Sequence, residues 1–355
     1  MAMKIPKIAS RGMFGVGAVA AALSASGAIY QYLATEWARR RRLPPGRMVD
    51  VDGVPLHLRD QGEGSPTVVL EAGLTSASAQ WAWVQPEVAK FTRVVSYDRA
   101  GLGFSSPSDA PRDAKSTAER LHALLEKAGV PGPYVLAGHS LGGLFVRMFA
   151  RLYPEEVAGL VLLDSVHPDQ RMRWGQASHW RHTAFFGELM VASYLARVGV
   201  PRLSGYRSHI TTGLPTEAAE ELRELACTNC HMDATTLETA GFDAMCEQVR
   251  AAGGFGDLPL AVISGECWHD GWDEQWHSLQ RELAALSAES TFQIVPGSNH
   301  TSLITNREQA MVTVRAIQRL VKRARAAQRY VRRVSKNAFN SATQSAASTP
   351  STITT

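Results

Sequence analysis

The chain has 355 residues, 45% hydrophobic and 20% charged, with four cysteines. This composition argues against wholesale disorder, a polytopic membrane protein and a disulfide-built fold. The net charge is +4, but residues 1–47 carry +7 and residues 315–355 carry +9, which leaves −12 for the middle. An acidic middle disfavours nucleic-acid binding, whereas an anionic membrane surface would attract the two basic ends.

The first feature in chain order is an uncharged stretch from Gly12 to Thr35, which Arg39–Arg42 soon follow. It is long enough to span a hydrocarbon core. We therefore expect residues 1–47 to form an uncleaved single-span membrane anchor with a basic flank. A cleaved signal peptide and a soluble amphipathic helix are the alternatives. The excess of positive charge after the stretch favours a membrane-associated protein whose catalytic domain is cytoplasmic. A catalytic domain on the exported face of the membrane is the alternative.

From Met48 onward, short apolar runs alternate with helical patterns, after a hairpin predicted at Asp52-Gly53. The pattern is typical of an α/β fold in which a mostly parallel sheet is covered by helices on both faces. Residues 48–166 would form the first part of this core. The predicted strands are Thr67–Leu70, Arg93–Tyr97, Tyr134–Ala137 and Val157–Leu163, with helices at Ser116–Ala128 and Leu141–Tyr153.

The strand pattern stops after Asp164 and returns at Leu260–Ser264 and Thr291–Val295. Residues 167–257 are rich in aromatic residues at helical spacing, which predicts an α-helical cap inserted after strand six. Such a cap would cover the carboxyl ends of the strands, where open α/β sheets bind ligands.

Residues 258–325 are predicted to complete the core, and residues 326–355 to form a basic, disordered tail. The last helix would run to Lys336. From Asn337 the sequence offers almost nothing to bury.

One short motif indicates chemistry: Gly138-His139-Ser140-Leu141-Gly142, a G-x-S-x-G sequence. It directly follows a predicted strand and directly opens a predicted helix, which is the context required of a nucleophile elbow. Glycines on both sides allow a tight turn that a Cβ would obstruct. The motif predicts that Ser140 is a nucleophile raised above the sheet.

The region Met48–Leu320 resembles the α/β-hydrolase fold superfamily of lipases, esterases and peptidases. Besides the elbow, Tyr97–Ser105 is similar to the family's D-R-x-G-x-G-x-S turn, and Ser298–His300 to its G-x-x-H histidine. The resemblance implies the chain order Ser, acid, His, which makes His300 the general base. His139 is expected to be a packing residue. Epoxide hydrolases and haloalkane dehalogenases place Asp at the elbow, so Ser140 argues against both.

The resemblance leaves the catalytic acid open. Most members carry it after strand seven, where Glu266, Asp270 and Asp273 stand, none of them in the usual G-x-x-D position. Some members carry it at the end of strand six, where Asp164 stands. We favour Asp164 over these three alternatives, because a lone carboxylate at the carboxyl end of a strand is typical of function.

The oxyanion of the family's reaction is bound by two backbone N–H groups. One belongs to the residue after the nucleophile, here Leu141. The other belongs to the loop after strand three, here Ala72-Gly73-Leu74, so Leu74 is the second candidate. The family's usual histidine is absent from this loop, but the donor is backbone.

Cys227–His231 matches the C-x-x-C-H pattern of c-type haem attachment. Because it lies in the helical insertion of an otherwise complete hydrolase pattern, we interpret these cysteines as small buried thiols, with a disulfide only in an exported protein. No cofactor and no metal are expected.

The predicted function is a serine hydrolase that cleaves an ester or amide bond of a small substrate through an acyl-enzyme on Ser140. Aromatic residues such as Trp174, Trp180 and Phe185 in the insertion suggest a hydrophobic substrate, although they could equally fill the insertion's own core. An acyltransferase on the same triad and a non-hydrolytic ligand-binding protein are the alternatives.

Overall fold

The structure of the chain is a computed structural model that describes residues 7–267 and 272–347. Within these residues eight strands form one sheet in the spatial order β1-β2-β4-β3-β5-β6-β7-β8. The strands β1 and β2 are antiparallel to each other, and β2 is antiparallel to β4, whereas the remaining pairs are parallel. The predicted mostly parallel sheet is confirmed. The strands are β1 (Arg47–Val51), β2 (Val54–Gln61), β3 (Thr67–Glu71), β4 (Val94–Tyr97), β5 (Tyr134–His139), β6 (Val157–Leu163), β7 (Leu260–Cys267) and β8 (Ser290–Asn299).

Both faces of the sheet are buried, which explains why its strands read as continuous apolar runs. Alternate residues of a strand face opposite sides, so Val69 packs in one core while Val68 and Leu70 pack in the other. The helices α3 (Ala114–Lys127) and α4 (Gly142–Leu152) cover the first face. The second face is covered by α2 (Gln85–Ala89) and α13 (Arg307–Ala347).

Between β6 and β7 the described chain forms helices and turns, within the residues 167–257 where the sequence predicts a cap. The domain boundaries themselves stay a prediction. The helices are α5 (Gln170–Arg173), α6 (Gly175–Ala196), α7 (Val200–Ser204), a 3-10 helix (Ser208–Thr211), α8 (Thr216–Ala226), α9 (Asn229–Ala240) and α10 (Phe242–Ala251). Two further helices, α11 (Asp273–Ala284) and α12 (Ser302–Thr305), follow β7 and β8.

The first helix, α1 (Lys7–Arg41), corrects the membrane prediction. No helix within the described residues combines the length and the hydropathy needed to cross a membrane. The uncharged stretch consists largely of Ala, Gly and Ser, whose transfer into hydrocarbon is far less favourable than that of Leu or Ile. The expected single-span anchor in residues 1–47, the membrane partner and the membrane-associated localisation are therefore wrong.

The carboxyl half of α1 lies against the helices of residues 167–257. The amide of Gln31 is 2% exposed and donates to the carbonyl oxygen of Cys227 at 2.8 Å. Just beyond the helix, Arg42 pairs with Glu220 at 2.7 Å and with Glu224 at 2.8 Å. Part of the basic flank thus forms ion pairs within the protein.

The last helix differs from its prediction in length. Ile317, Leu320 and Val321 are buried in the core, as the helical spacing predicts. The helix continues to Ala347, however, whereas the sequence predicts a disordered tail from Asn337. Residues 348–355 lie outside the described residues.

Arg99 connects α9 to the core through buried ion pairs. Its guanidinium donates to both carboxylate oxygens of Glu238 at 2.7 and 2.8 Å. It also donates to Glu71 at 2.7 Å and to the carbonyl oxygens of Ala72 and Gly73 at 2.7 and 3.0 Å. The three charged residues are at most 5% exposed, so removing one leaves buried charge without compensation.

Replacing Arg99 by methionine is expected to destabilise the fold by about 3–5 kcal/mol, because Glu71 and Glu238 would stay buried without their counter-charge. Arg39→Met is the matched control, since the Arg39 side chain is 57% exposed in its ion pair with Glu36 and such surface pairs contribute about 0–1 kcal/mol. Urea unfolding followed by circular dichroism measures both variants. Equal unfolding midpoints for the two would contradict the structural role of Arg99.

Candidate functional site

Ser140 occupies the turn between β5 and α4 with a left-handed backbone, at φ 53°. Close packing explains the glycines around it. A Cβ on Gly138 would lie 2.5 Å from the carbonyl oxygen of Gly142, and a Cβ on Gly142 would lie 2.6 Å from that of Glu71. The amide of Ser140 donates to the carbonyl oxygen of Leu163 at 3.0 Å, which ties the turn to β6. The turn thus presents Ser140 to a pocket at this edge of the sheet.

Two hydrogen bonds link Ser140, His300 and Asp164. The Nε2 atom of His300 lies 3.0 Å from Ser140 Oγ, and its Nδ1 atom lies 2.6 Å from Asp164 Oδ2. Ser140 directly follows β5, Asp164 directly follows β6 and His300 directly follows β8. Because the carboxyl ends of parallel strands meet at one edge of a sheet, residues far apart in sequence come together there.

The carboxylate of Asp164 is fully buried. Its Oδ1 accepts hydrogen bonds from the indole N–H of Trp276 at 2.8 Å, the backbone N–H of Gly265 at 2.9 Å and the hydroxyl of Ser264 at 3.1 Å. Burial alone raises the pKa of Asp164, but the hydrogen bond and charge of His300, together with Trp276 and Gly265, hold that pKa below its ordinary value. The carboxylate therefore remains ionised at neutral pH and accepts from His300 Nδ1–H, which leaves Nε2 to face the serine hydroxyl.

The other predicted acids do not contact His300 within the described residues. Glu266 is exposed and accepts a hydrogen bond from the backbone N–H of Gly297 at 2.8 Å. Asp273 lies in the first turn of α11. Asp270 lies outside the described residues.

His139 is closer to the site than the sequence indicates. Its ring centroid is 4.6 Å from that of His300, and its Nε2 lies 3.1 Å from the carbonyl oxygen of His300. Burial, reinforced by the nearby His300, lowers the pKa of His139 to about 3. His139 is thus neutral, and its Nε2–H donates to that carbonyl group.

Leu74 and Leu141, whose backbone N–H groups are the predicted oxyanion donors, both line the pocket. Neither donates a hydrogen bond to another group in the part of the chain that the structure describes. The neighbouring N–H of Gly73 instead faces Gln80 Oε1 at 3.4 Å. The arrangement leaves two backbone donors available beside Ser140.

The pocket has a volume of about 360 Å³ and is bordered by both His300 and Ser140. Of the aromatic residues noted in the insertion, Phe185 lines it. Trp180 is 70% exposed, and the ring centroid of Trp174 lies 5.7 Å from that of Trp272. Most of these aromatic residues therefore pack elsewhere or face solvent.

The C-x-x-C-H segment serves as the start of α9. The hydroxyl of Thr228 caps the helix by accepting from the N–H of His231. His231 Nε2 lies 3.1 Å from the carbonyl oxygen of Thr75, and its Nδ1 accepts from the N–H of Gly103 at 3.2 Å. The cysteines are free thiols, and no group of side chains among the described residues could hold a metal ion.

The sequence patterns do not assign three residues to the site: Trp276, Gln80 and Arg207. A buried indole N–H needs an acceptor, which is the one signal that could have linked Trp276 to a carboxylate. Gln80 and Arg207 border the pocket, but each stands in a loop or short helix with no motif around it.

Comparison with known proteins agrees with this architecture. Residues 66–198 match the family model for the alpha/beta hydrolase fold. An AB hydrolase superfamily protein of Gibberella zeae is 27% identical over 297 residues, which cover 72% of this chain and 87% of that protein.

Solved structures share the fold at low sequence identity. A thermophilic esterase from Thermogutta terrifontis, with malate bound, is 20% identical, has a TM-score of 0.59 and covers 78% of this chain and 98% of its own. The epoxide hydrolase CorEH is 16% identical, has a TM-score of 0.60 and covers 77% of this chain and 97% of its own. Proteins of different chemistry thus share this architecture, and at such identity the likeness concerns the fold alone. From the sheet, the elbow and the matched family model, the chain belongs to the α/β-hydrolase fold superfamily.

Proposed function

We propose that this protein is a serine hydrolase that cleaves an ester of a small, largely hydrophobic substrate through an acyl-enzyme on Ser140. Membership of the superfamily supports a hydrolase. The observation that carries the finer proposal is the pair of hydrogen bonds from Ser140 through His300 to Asp164, at 3.0 and 2.6 Å.

In the proposed acylation step, His300 Nε2 takes the proton of Ser140 as Oγ attacks the ester carbonyl carbon. The imidazolium that forms is stabilised by the ionised Asp164. His300 then returns the proton to the departing alkoxide, the alcohol leaves and the acyl group remains on Ser140.

Deacylation repeats these steps with water. His300 takes a proton from the water as it attacks the acyl-enzyme, and returns that proton to Ser140 Oγ as the acid leaves. In both steps negative charge develops on the carbonyl oxygen. The free N–H groups of Leu74 and Leu141 are our candidates for stabilising it, and one such donor contributes about 2.7–4 kcal/mol in other hydrolases.

The walls of the pocket support an apolar substrate. Phe185, Ile210, Leu222, Phe242 and Ile304 all line it. A hydrophobic acyl or alcohol group would be removed from water there.

Ser140→Ala is expected to lower the rate of hydrolysis of short p-nitrophenyl esters by at least about 10³-fold, because no other group in the mechanism forms the acyl bond. The fold should remain, since the hydroxyl is presented to the pocket and is not part of the core. Labelling of the folded wild type by a fluorophosphonate, located by mass spectrometry, tests the nucleophile directly. A label absent from Ser140 would favour the non-hydrolytic ligand-binding alternative, and ester products formed with an added alcohol would favour the acyltransferase.

Asp164→Asn is expected to lower kcat by about 10⁴-fold, because an amide favours the wrong tautomer of His300. Glu266→Gln is the matched control, since Glu266 is exposed and bonds to a backbone N–H of the next strand. Steady-state kinetics of both variants on one ester, with circular dichroism to confirm folding, makes the comparison. The opposite ranking would assign the acid to Glu266, near the end of β7.

A further inference from the structure

Arg207 supplies a positive charge to the wall of the pocket that contains Ser140. It is the one Arg, Lys, Asp or Glu among the described residues that line this pocket. The other titratable side chains there are His139 and His300. An arginine stays protonated at every pH at which the protein is folded, so this charge is permanent.

No described carboxylate neutralises the charge of Arg207. Arg207 makes no ion pair with a described carboxylate, and its Nε is buried without a hydrogen-bond partner. The carboxylate of Glu188 accepts instead from the hydroxyl of Tyr206 at 2.7 Å. Burial, reinforced by Glu188, raises the pKa of Tyr206 to about 12 although Arg207 opposes the shift, so this hydroxyl keeps its proton and donates it to Glu188.

Aromatic rings hold the guanidinium in place. Its central carbon lies 5.3 Å from the ring centroid of Phe185 and 5.9 Å from that of Tyr206. Contact with ring faces stabilises a cation through the face of its plane and leaves the edge of that plane, where the N–H donors point, accessible to an anion. The group is therefore positioned and still able to bind an anion.

The backbone at Arg207 is strained in the same way as at the proposed nucleophile. Five non-glycine residues of the described chain have positive φ: Asp52, Thr75, Ser140, Asp164 and Arg207. Asp52 belongs to a hairpin turn, whereas the other four line the pocket or hydrogen-bond to a residue that does. A left-handed backbone is costly for a residue with a side chain and persists where the surroundings impose it, often at functional sites.

We propose that Arg207 binds a carboxylate group of the substrate, so that the preferred substrate is an ester with an apolar body and one carboxylate away from the bond that is cleaved. This inference rests on the proposed function and adds a substrate class to it. The planar guanidinium matches a carboxylate with two parallel hydrogen bonds, and the apolar walls strengthen their attraction. A single cation balances the single charge of a carboxylate, whereas a phosphate dianion would remain half compensated.

Hydrolysis of two matched ester series tests the proposal. One series contains monoethyl esters of linear dicarboxylic acids of increasing length, and the other contains ethyl esters of the corresponding monocarboxylic acids. At the length that reaches from Ser140 to Arg207, we expect Arg207→Gln to lower kcat/KM for the half-ester by about 10- to 100-fold, the usual range for a charged hydrogen-bonded pair. The value for the neutral ester should change less than about threefold, since hydrogen bonds to charged groups dominate the loss.

Two variants separate recognition from structure. Arg207→Lys should recover part of the preference for the half-ester, because the charge remains while the paired geometry is lost. Arg223→Gln removes an exposed arginine that bonds to Thr211, outside the pocket, and should leave the ratio of the two kcat/KM values unchanged. Equal losses on both ester series in Arg207→Gln, or no change on either, would overturn the proposal.

Binding to Ser140→Ala distinguishes failure of this inference from failure of the proposed function. Calorimetry of Ser140→Ala with the same half-esters needs no turnover, and the added Arg207→Gln change should weaken binding about 10- to 100-fold. Ester cleavage that fails while this binding effect persists would reject the hydrolase and keep the carboxylate site. Ester cleavage that persists, with Arg207→Gln changing neither the preference for half-esters nor their binding, would keep the hydrolase and reject the carboxylate site.

Discussion

The buried carboxylate of Asp164 constrains the arrangement of the candidate site. A carboxylate removed from water is stable only where donors surround it, and here His300, Trp276, Gly265 and Ser264 provide them. They come from the loop after β8, from α11 and from β7. Because β6, β7 and β8 are neighbours in the sheet, the donors that follow or belong to β7 and β8 reach the carboxylate at the end of β6. The same arrangement holds the imidazole of His300 next to Ser140.

A second buried charge cluster connects the loop after β3 to the inserted helices. Arg99 binds the carbonyl oxygens of Ala72 and Gly73 while it pairs with Glu238 on α9. From the same helix, His231 lies 3.1 Å from the carbonyl oxygen of Thr75. The backbone segment that carries the N–H of Leu74 is thus held on both sides by groups bonded to α9, so displacement of that helix would also displace this donor.

Sequence patterns predicted the fold and the elbow because the signals for both, the strand and helix patterns and the glycine-flanked turn, are local in the sequence. Alternating apolar runs identify the strands, and the glycines around Ser140 identify its turn. The choice between Asp164 and Asp270 depended on which carboxylate approaches His300 across the sheet, and no local pattern contains that distance. Arg207 was not identified for the same reason, since its proposed role depends on whether a carboxylate pairs with it in the folded wall, and no described carboxylate does.

The structure differs from the sequence-based predictions at both termini, where a single property of the sequence was a poor guide. The uncharged stretch of α1 is long enough for a span, but hydropathy rather than length decides transfer into hydrocarbon. Its residues instead meet the inserted helices through Gln31. At the other end, Asn337 to Ala347 extend a helix that is already formed, and extension is far easier than nucleation. Low hydrophobicity alone therefore did not predict where α13 stops.

The distribution of charge around Ser140 suits the proposed reaction at each stage. When His300 accepts the serine proton, it becomes a cation beside the anionic Asp164, and the neighbouring His139 does not oppose it because burial keeps that ring neutral. A second imidazolium at a centroid distance of 4.6 Å would make the proton transfer less favourable. Arg207, in a turn between two of the inserted helices, can then bind a charge on the substrate without requiring a counter-ion near the base. The low pKa of His139 thus keeps the cation that forms during the proposed reaction at His300, and Arg207, which forms an ion pair with no described carboxylate, remains available to the substrate.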